Sequence, residues 1–361
     1  MIKKFCEIFE DDTKNVERVS SNEYLEKGII AIVDQGKKDI VGYTNNENYK
    51  ICNEERIIFG DHTRIFKYIN IPFITGADGT KVLKIKENKN YDYKYFYYYL
   101  LHSYIPDTGY NRHFKWVKEL QFDVVEYKKQ LEIVKKLDKV CSIIEERKNQ
   151  LKELEQLVKS QFVEMFENQE FEIKKLKEIA NIGSSKRIYA NEYKESGIPF
   201  YRSKEIRELG TGLKPSIELF ISKEKYYEIK EKYGVPKKDD ILIAAIGATI
   251  GYMWIVDDSE FYYKDGNLIL ISLKDGSNSI YLRYCLENII KEFKNSNASG
   301  SAQLAMTIEK VEKFSIAIPP IELQNKFAEF VKLIDKQKFV IVEIIMFYDI
   351  ILRSILNNIM G

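Results

Sequence analysis

The chain has 361 residues, enough for two or three domains. Hydrophobic residues make up 45% and charged residues 31%, which supports a sizeable core and excludes a disordered polymer. Lys plus Arg number 56 against 55 Asp plus Glu; a net charge of +1 excludes a generally basic nucleic-acid coat but leaves room for a basic groove balanced by acidic surface elsewhere. The N-terminal segment MIKKFCEIFEDDTKN lacks an apolar core, so no secretory signal is expected. In the first half a β-like run at residues 56–59 precedes Gly76-Ala77-Asp78-Gly79 and a strand at 81–85. An aromatic-rich helix at 93–101 follows, then Gly109-Tyr110-Asn111-Arg112 and a long helix from Gln130 to about Met165. The second half repeats that order: a strand at 240–244, Lys264-Asp265-Gly266, a strand at 267–272, a helix at 280–286, Gly300-Ser301-Ala302-Gln303, and again a long helix.

The repeat has an offset near 190 residues, and its best textual match sets residues 120–140 on 314–334, with Gln130 falling on Gln324. The first copy reads Val124-Val125-Glu126 where the second has Ile318-Pro319-Pro320, a departure from strict equivalence at the helix entries. Along the first long helix Leu137, Cys141, Ile144, Leu151, Leu154, Val158, Phe162 and Met165 recur at spacings of three and four, with one break near Lys148. The second carries Phe327, Phe330 or Val331, Ile334, Ile341, Ile344, Tyr348, Ile351, Ile355 and Ile359. Each spans roughly 50 Å at 1.5 Å per residue. The simplest partner for each seam is the other helix, which predicts an antiparallel pair about a pseudo-twofold. Apolar residues beyond one seam, such as Ile345 and Leu352, would then face a protein partner. The run at residues 339–360 contains Glu343, Asp349 and Arg353, each costing about 2.5–3.5 kcal/mol at a bilayer centre, so a membrane span is not expected.

Catalytic motifs are missing. Gly183-Ser184-Ser185-Lys186 lacks the earlier glycine of a phosphate loop, and Gly247-Ala248-Thr249-Ile250-Gly251 has no following lysine. No GxGxxG follows a strand, so neither a nucleotide nor S-adenosylmethionine has a cradle. Cys6, Cys52, Cys141 and Cys285 are scattered, as are His62, His102 and His113, which predicts free thiols in a reducing cytoplasm and no metal cluster. Asp107 with Glu126 and Lys128 imitates the Asp…Glu-x-Lys pattern of Mg²⁺-dependent nucleases, but it places the acids on a loop and a helix start rather than on adjacent strands. Asp61-His62 has no nucleophile to serve. It reads either as a loop-ordering Asp with a satisfied His, or as a display of His62, Thr63 and Arg64 toward a polar ligand.

Ile32-Val33-Asp34-Gln35-Gly36, Gly42-Tyr43-Thr44, FGDHTR at 59–64, Pro72-Phe73 and GADGTKVLK at 76–84 together resemble one class of target-recognition domain. That class belongs to the specificity (S) subunits of type I restriction–modification systems. Gly197-Ile198-Pro199-Phe200-Tyr201-Arg202, Asp239-Asp240-Ile241-Leu242, Gly300-Ser301-Ala302-Gln303 and Ile318-Pro319-Pro320-Ile321-Glu322-Leu323-Gln324 resemble a second such domain. The resemblance implies an α+β fold of two target-recognition domains, mixed β-sheet with small helices, joined and separated by two long antiparallel coiled-coil helices. Its boundaries are domain 1 at 1–124, spacer helix at 125–168, domain 2 at 169–317 and spacer helix at 318–361.

It further implies a cytoplasmic, non-catalytic protein that reads a bipartite double-stranded DNA sequence and docks two methyltransferase subunits. Those partners carry S-adenosylmethionine; two restriction subunits using ATP and Mg²⁺ are optional further partners, and this chain binds no cofactor itself. Polar or basic side chains in loops beside glycine are the expected DNA contacts, because backbone can approach the duplex there. They are Lys37, His62, Thr63, Arg64, Lys81, Asn111 and Arg112 in the first domain, and Ser184, Ser185, Lys186, Arg187, Arg202, Lys204, Thr249 and Gln303 in the second. For each the bland alternative is a solvated surface charge. Two other classes stay open: a stand-alone Mg²⁺-dependent endonuclease built on Asp107, Glu126 and Lys128, and a coiled-coil adaptor between proteins, which the near-neutral charge favours.

Overall fold

The computed structural model describes residues 1–86, 89–274, 277–296 and 305–360. It divides into two compact units, Met1–Gln150 with Ile341–Gly361, and Leu151–Val340. The motif Gly300-Ser301-Ala302-Gln303 lies outside the described residues.

The first unit begins with β1 (Ile2–Lys4), α1 (Phe5–Ile8) and β2 (Phe9–Asp11), followed by β3 (Ile30–Val33) and β4 (Gly42–Thr44). Next come β5 (Arg56–Gly60), β6 (Phe66–Ile69), β7 (Phe73–Thr75) and β8 (Thr80–Ile85). Then α2 (Tyr93–His102), α3 (Phe114–Val117) and β9 (Gln121–Asp123) lead into the long α4 (Tyr127–Phe162). The strands form a four-stranded sheet in the order β2-β8-β5-β6, a three-stranded sheet β4-β3-β7, and the pair β1-β9. β5 is buried at every position, as its Ile57-Ile58-Phe59 run dictates for a central strand. The core beneath it is aromatic: Phe9, Phe59, Phe96, Phe122, Tyr95 and Tyr99 pack with Val134 and Leu137 of α4.

A π-helical turn, Val163–Glu167, follows α4. The second unit then runs β10 (Glu172–Lys175), α5 (Leu176–Ile179), β11 (Ala180–Gly183) and β12 (Ile198–Tyr201). After these come α6 (Ser203–Gly210), β13 (Phe220–Ile221), α7 (Lys223–Tyr233), β14 (Ile241–Ala244) and β15 (Met253–Ile255). It ends with β16 (Tyr262–Tyr263), β17 (Leu268–Leu273), α8 (Ser279–Ser296), α9 (Ile308–Glu312), β18 (Ser315–Ile318) and α10 (Ile321–Met360). Its sheets are β11-β17-β14-β15, β13-β12-β16 and β10-β18. Strand for strand this is the topology of the first unit, parallel pairs β3·β7 and β12·β16 included. The added α-helices among the described residues are α6 and α7, so the expected duplication holds.

The entry to each long helix shows how closely the copies correspond. Buried Gln130 accepts a hydrogen bond from Asp92 N (2.9 Å) and donates to the carbonyl oxygens of Val125 (2.8 Å) and Asn90 (3.1 Å). Gln324 accepts from Asn278 N (2.9 Å) and donates to Pro319 O (2.8 Å). Asp92 and Asn278 each cap the next helix, and Tyr95 and Tyr281 donate to Asp123 O and Ala317 O. The Val125/Pro319 difference is therefore harmless, because the atom used is a carbonyl oxygen, which proline retains.

The long helices pair in opposite senses. In the first unit the start of α4 shares a core with Leu352, Leu356 and Ile359 of α10. In the second, Val158 and Phe162 at the end of α4 pack with Phe327, Val331 and Ile334 at the start of α10. Leu151 and Leu154 are only half-buried, in keeping with a seam that breaks near Lys148. One expectation needs correcting. Leu352 is not surplus apolar surface: like Ile345 it is half-buried, and it packs against the core of the first unit. The exposed large apolar residues of α10 among the described ones are instead Leu333, Phe339, Val340, Val342, Met346, Phe347 and Ile350.

Candidate nucleic-acid interface

Four loops of the first unit converge at one end of its sheets. They are the segment after β3, the β5–β6 turn, the β7–β8 turn and the loop between α2 and α3. Gln35 ties them together: its amide donates to Asp78 O (2.8 Å) and accepts from His62 N (3.1 Å), while its carbonyl accepts from Thr63 Oγ1 (2.5 Å). Asp61 is buried. Its N–H donates to Gly79 O (2.8 Å), its carbonyl accepts from His113 N (2.8 Å), and its carboxylate accepts from Phe114 N (2.7 Å). Asp61 is thus the loop-ordering acid of the blander alternative, whereas its neighbour His62 is not satisfied in the same way. His62 stacks on the exposed Tyr110 ring at 4.9 Å, and its Nδ1 is buried without a hydrogen-bond partner. Gly79 takes φ +80°, where a Cβ would stand 2.8 Å from the His62 ring, so glycine is required for this approach.

Of the expected contacts in this unit, His62, Thr63, Arg64, Asn111 and Arg112 fall within this loop cluster. Arg64, with φ +61°, pairs with Asp107 at 2.7 Å. Asn111 donates to Thr108 O, and Arg112 reaches Asp78 at 3.5 Å. Lys81 stands on β8, paired with Asp11 at 3.1 Å, and lines a recess of about 230 Å³ together with Arg18 and Arg112. Lys37 is exposed on the loop after β3. That loop is anchored by a buried lysine, Lys67, which donates to Asp34 O (2.7 Å) and Lys38 O; burial pushes the Lys67 pKa down.

The second unit builds the same loop set. Ala245 N donates to Asn267 O (2.9 Å), and Ala245 O accepts from Met306 N (2.8 Å), which matches the Asp61 bonds to Gly79 and His113. Ser184, Ser185, Lys186 and Arg187 gather against the β16–β17 turn. Ser184 Oγ accepts from Gly266 N (3.2 Å), Ser185 donates to Tyr263 O (2.8 Å), and Arg187 pairs with Asp265 at 2.7 Å. The Lys186 ammonium stands 5.3 Å over the Tyr233 ring. Thr249 lies on the β14–β15 turn, the counterpart of the His62–Arg64 turn, with its hydroxyl donated to Ile246 O. Arg202 and Lys204 belong to a separate network: Arg202 binds Glu205 (2.9 Å) and Glu218 (2.8 Å), and Lys204 binds Glu218 as well. These two cations, Lys204 first, lower the Glu218 carboxyl to about 2. Gln303 lies outside the described residues.

Among the described residues no group of three or more His, Cys, Asp and Glu is placed to hold a metal. Asp107 is engaged by Arg64 and by Gly109 N, the Gly109 N–H most of all holding its carboxyl below the usual range, while Glu126 lines a different recess beside Met1 and Asn90. All four cysteines are free, and no helix among the described residues is long and apolar enough to cross a membrane.

The family of type I restriction modification DNA specificity domains matches residues 168–343. That match takes in just under half of the chain, so residues 168–343 resemble a DNA specificity domain of this family. A specificity subunit of a type I restriction enzyme from Haemophilus influenzae is 35% identical over 170 residues, 46% of this chain and 40% of that protein, so the match spans well under half of that relative's length. The S subunit of a type I restriction–modification system from M. genitalium superposes with a TM-score of 0.63 at 16% identity, covering 100% of this chain and 96% of that one. A chain from a study of complex assembly and conformational transition in a type I system gives 0.55 at 15% identity, covering 100% and 97%. At such identity these likenesses establish the specificity-subunit fold over both units.

Sequence reading missed Arg18, Gln35 and Asp78 as members of the cluster. The available signal was a second repeat: Arg18-Val19-Ser20-Ser21-Asn22-Glu23-Tyr24 against Arg187-Ile188-Tyr189-Ala190-Asn191-Glu192-Tyr193. It lies 169 residues apart, because α6 and α7 widen the offset only later in the chain, to 194 at Gln130 and Gln324.

Proposed function

We propose that this chain is the DNA-reading subunit of a type I restriction–modification complex, each unit contacting one half of a bipartite duplex target. The observation that carries the reading is the second occurrence of one loop set, tied by matching backbone bonds and bearing Arg64 and Arg112 in one unit and Lys186 and Arg187 in the other. Arginine and lysine in such loops suit guanine edges and phosphates. In this reading the chain is non-catalytic, works in the cytoplasm and binds no cofactor. Two methyltransferase subunits supply S-adenosylmethionine, and two restriction subunits, where present, supply ATP and Mg²⁺ chemistry. The exposed Phe339, Val340, Met346, Phe347 and Ile350 on α10 support a docking role for that helix.

Co-expression with a type I methyltransferase subunit from the same genome, followed by purification and mapping of methylated adenines, tests the proposal. A stable complex that methylates one bipartite motif is expected. Mg²⁺-dependent cleavage by the chain alone, lost in Asp107→Ala, would replace the proposal with the nuclease.

A further inference from the structure

Each unit carries one arginine directly ahead of the same short element. After Arg18 and Arg187 the chain forms a 3₁₀ turn, Ser21–Glu23 and Ala190–Glu192, with Glu23 and Glu192 reaching back to Ser20 N (3.1 Å) and Tyr189 N (2.8 Å). Both arginines pair with an aspartate from the turn that precedes the last long strand: Arg18 with Asp78 at 2.9 Å and Arg187 with Asp265 at 2.7 Å. The two acids are not at the same position. Matching backbone bonds place Asn267 on Gly79, so Asp265 sits one residue earlier in its turn than Asp78. The pairing has survived a shift of its acid partner.

Stability does not account for this. The arginine side chains are 61% and 64% exposed, and exposed ion pairs add little to folding. The surroundings suit an anion instead. Arg18 lines a recess with Lys14, Lys81 and Arg112 alongside Asp61 and Asp78, and Arg187 lines one with Lys186 and Lys225 alongside Glu192 and Glu228, which leaves a cationic surplus in each. In the second unit Asp265 Oδ1 is buried with no hydrogen-bond partner, so that carboxylate is only half satisfied by its arginine.

We infer that Arg18 and Arg187 are equivalent phosphate clamps, one per unit, and that Asp78 and Asp265 hold them closed until a duplex is seated. The inference rests on the DNA-reading proposal and extends it. A guanidinium matches a phosphate as well as a carboxylate, through two parallel N–H···O bonds, so a backbone phosphate in register can displace the aspartate. A duplex out of register gains no such replacement and must leave the pair intact. The acid therefore subtracts from loose binding more than from seated binding.

The test is a fluorescence titration of the full chain with the target duplex mapped by adenine methylation and with a duplex of random sequence, at about 50 and 200 mM salt. Arg18→Ala and Arg187→Ala are each expected to weaken binding to the target duplex about tenfold at the lower salt and to reduce its salt slope by about one. Arg18→Lys should restore the slope but not the full affinity, because it keeps the charge and loses the fork. Asp78→Asn and Asp265→Asn should tighten binding to random duplex several-fold, and thermal melting identifies any variant that fails to fold. Unchanged affinity and slope in the arginine variants, with wild type binding normally, would overturn the clamp alone; so would aspartate variants that fold and bind no tighter. Failure of the wild-type chain to bind duplex DNA would instead overturn the DNA-reading proposal beneath it.

Discussion

Gln130 and Gln324 are among the few fully buried polar residues, and each holds the start of a long helix against the N-terminal cap of an earlier helix, α2 or α8. Methionine fits the same volume but returns none of these hydrogen bonds. Gln130→Met should therefore strand one or two buried backbone groups and destabilise the first unit by about 2–3 kcal/mol, at about 1–3 kcal/mol per group. Urea unfolding measures this, and a loss below about 0.5 kcal/mol, the level of an ordinary surface change, would contradict it. Lys67 plays a different part, since its buried ammonium anchors the loop of Gln35 and Lys37. Its folded pKa lies below the ordinary 10.5, so the unfolded chain holds the proton more tightly. That lowers stability at neutral pH, and the penalty is relieved as pH rises through the folded pKa toward 10.5. Lys67→Met should abolish this rise relative to wild type and weaken DNA binding through the loosened loop; urea midpoints from pH 8 to 10.5 that run parallel in the two proteins would count against it. The sequence showed neither role. A lone lysine in a strand reads as solvated until the carbonyls it serves are known, whereas the Gln130–Gln324 match was visible as a repeat.

Elements were legible where periodicity is strong. The all-buried run of β5 and the seams of α4 and α10 follow from residue spacing alone. Short elements whose pairing is distant were not. β1 is only Ile2–Lys4, with a burial pattern carrying no apolar face, and it exists because it pairs with Gln121–Asp123 at the far end of the unit. β3, β4 and β7 likewise depend on partners rather than on length. For α10 the seam was legible but its surplus face was not, since Leu352 packs against the core while Met346, Phe347 and Ile350 remain outside. A double change Met346→Glu with Ile350→Glu on that face should leave folding within about 0.5 kcal/mol, as surface changes do. It should also abolish co-purification with the methyltransferase, measured by affinity pull-down. Undiminished capture by a folded variant would move the docking site elsewhere.

At the scale of the whole chain, duplication organises everything else. Two copies of one topology differ chiefly by α6 and α7, and both bring the same turns and the same Arg–Asp pairing to one loop cluster. The candidate contacts were chosen from sequence because they sit beside glycines in loops, and that criterion found most of the cluster in the first unit. It also took in Arg202 and Lys204, whose shared partner Glu218 lies more than a dozen residues away and was not legible in the sequence. The central claim is that each unit reads its own half of the target. Its most direct measurement is the map of methylated adenines in cells whose chain carries residues 169–310 exchanged for the corresponding domain of a relative, with the intact chain as control. One half of the methylated motif should change and the other half persist. A motif altered in both halves, or in neither, while the exchanged chain still co-purifies with its methyltransferase, would contradict the account.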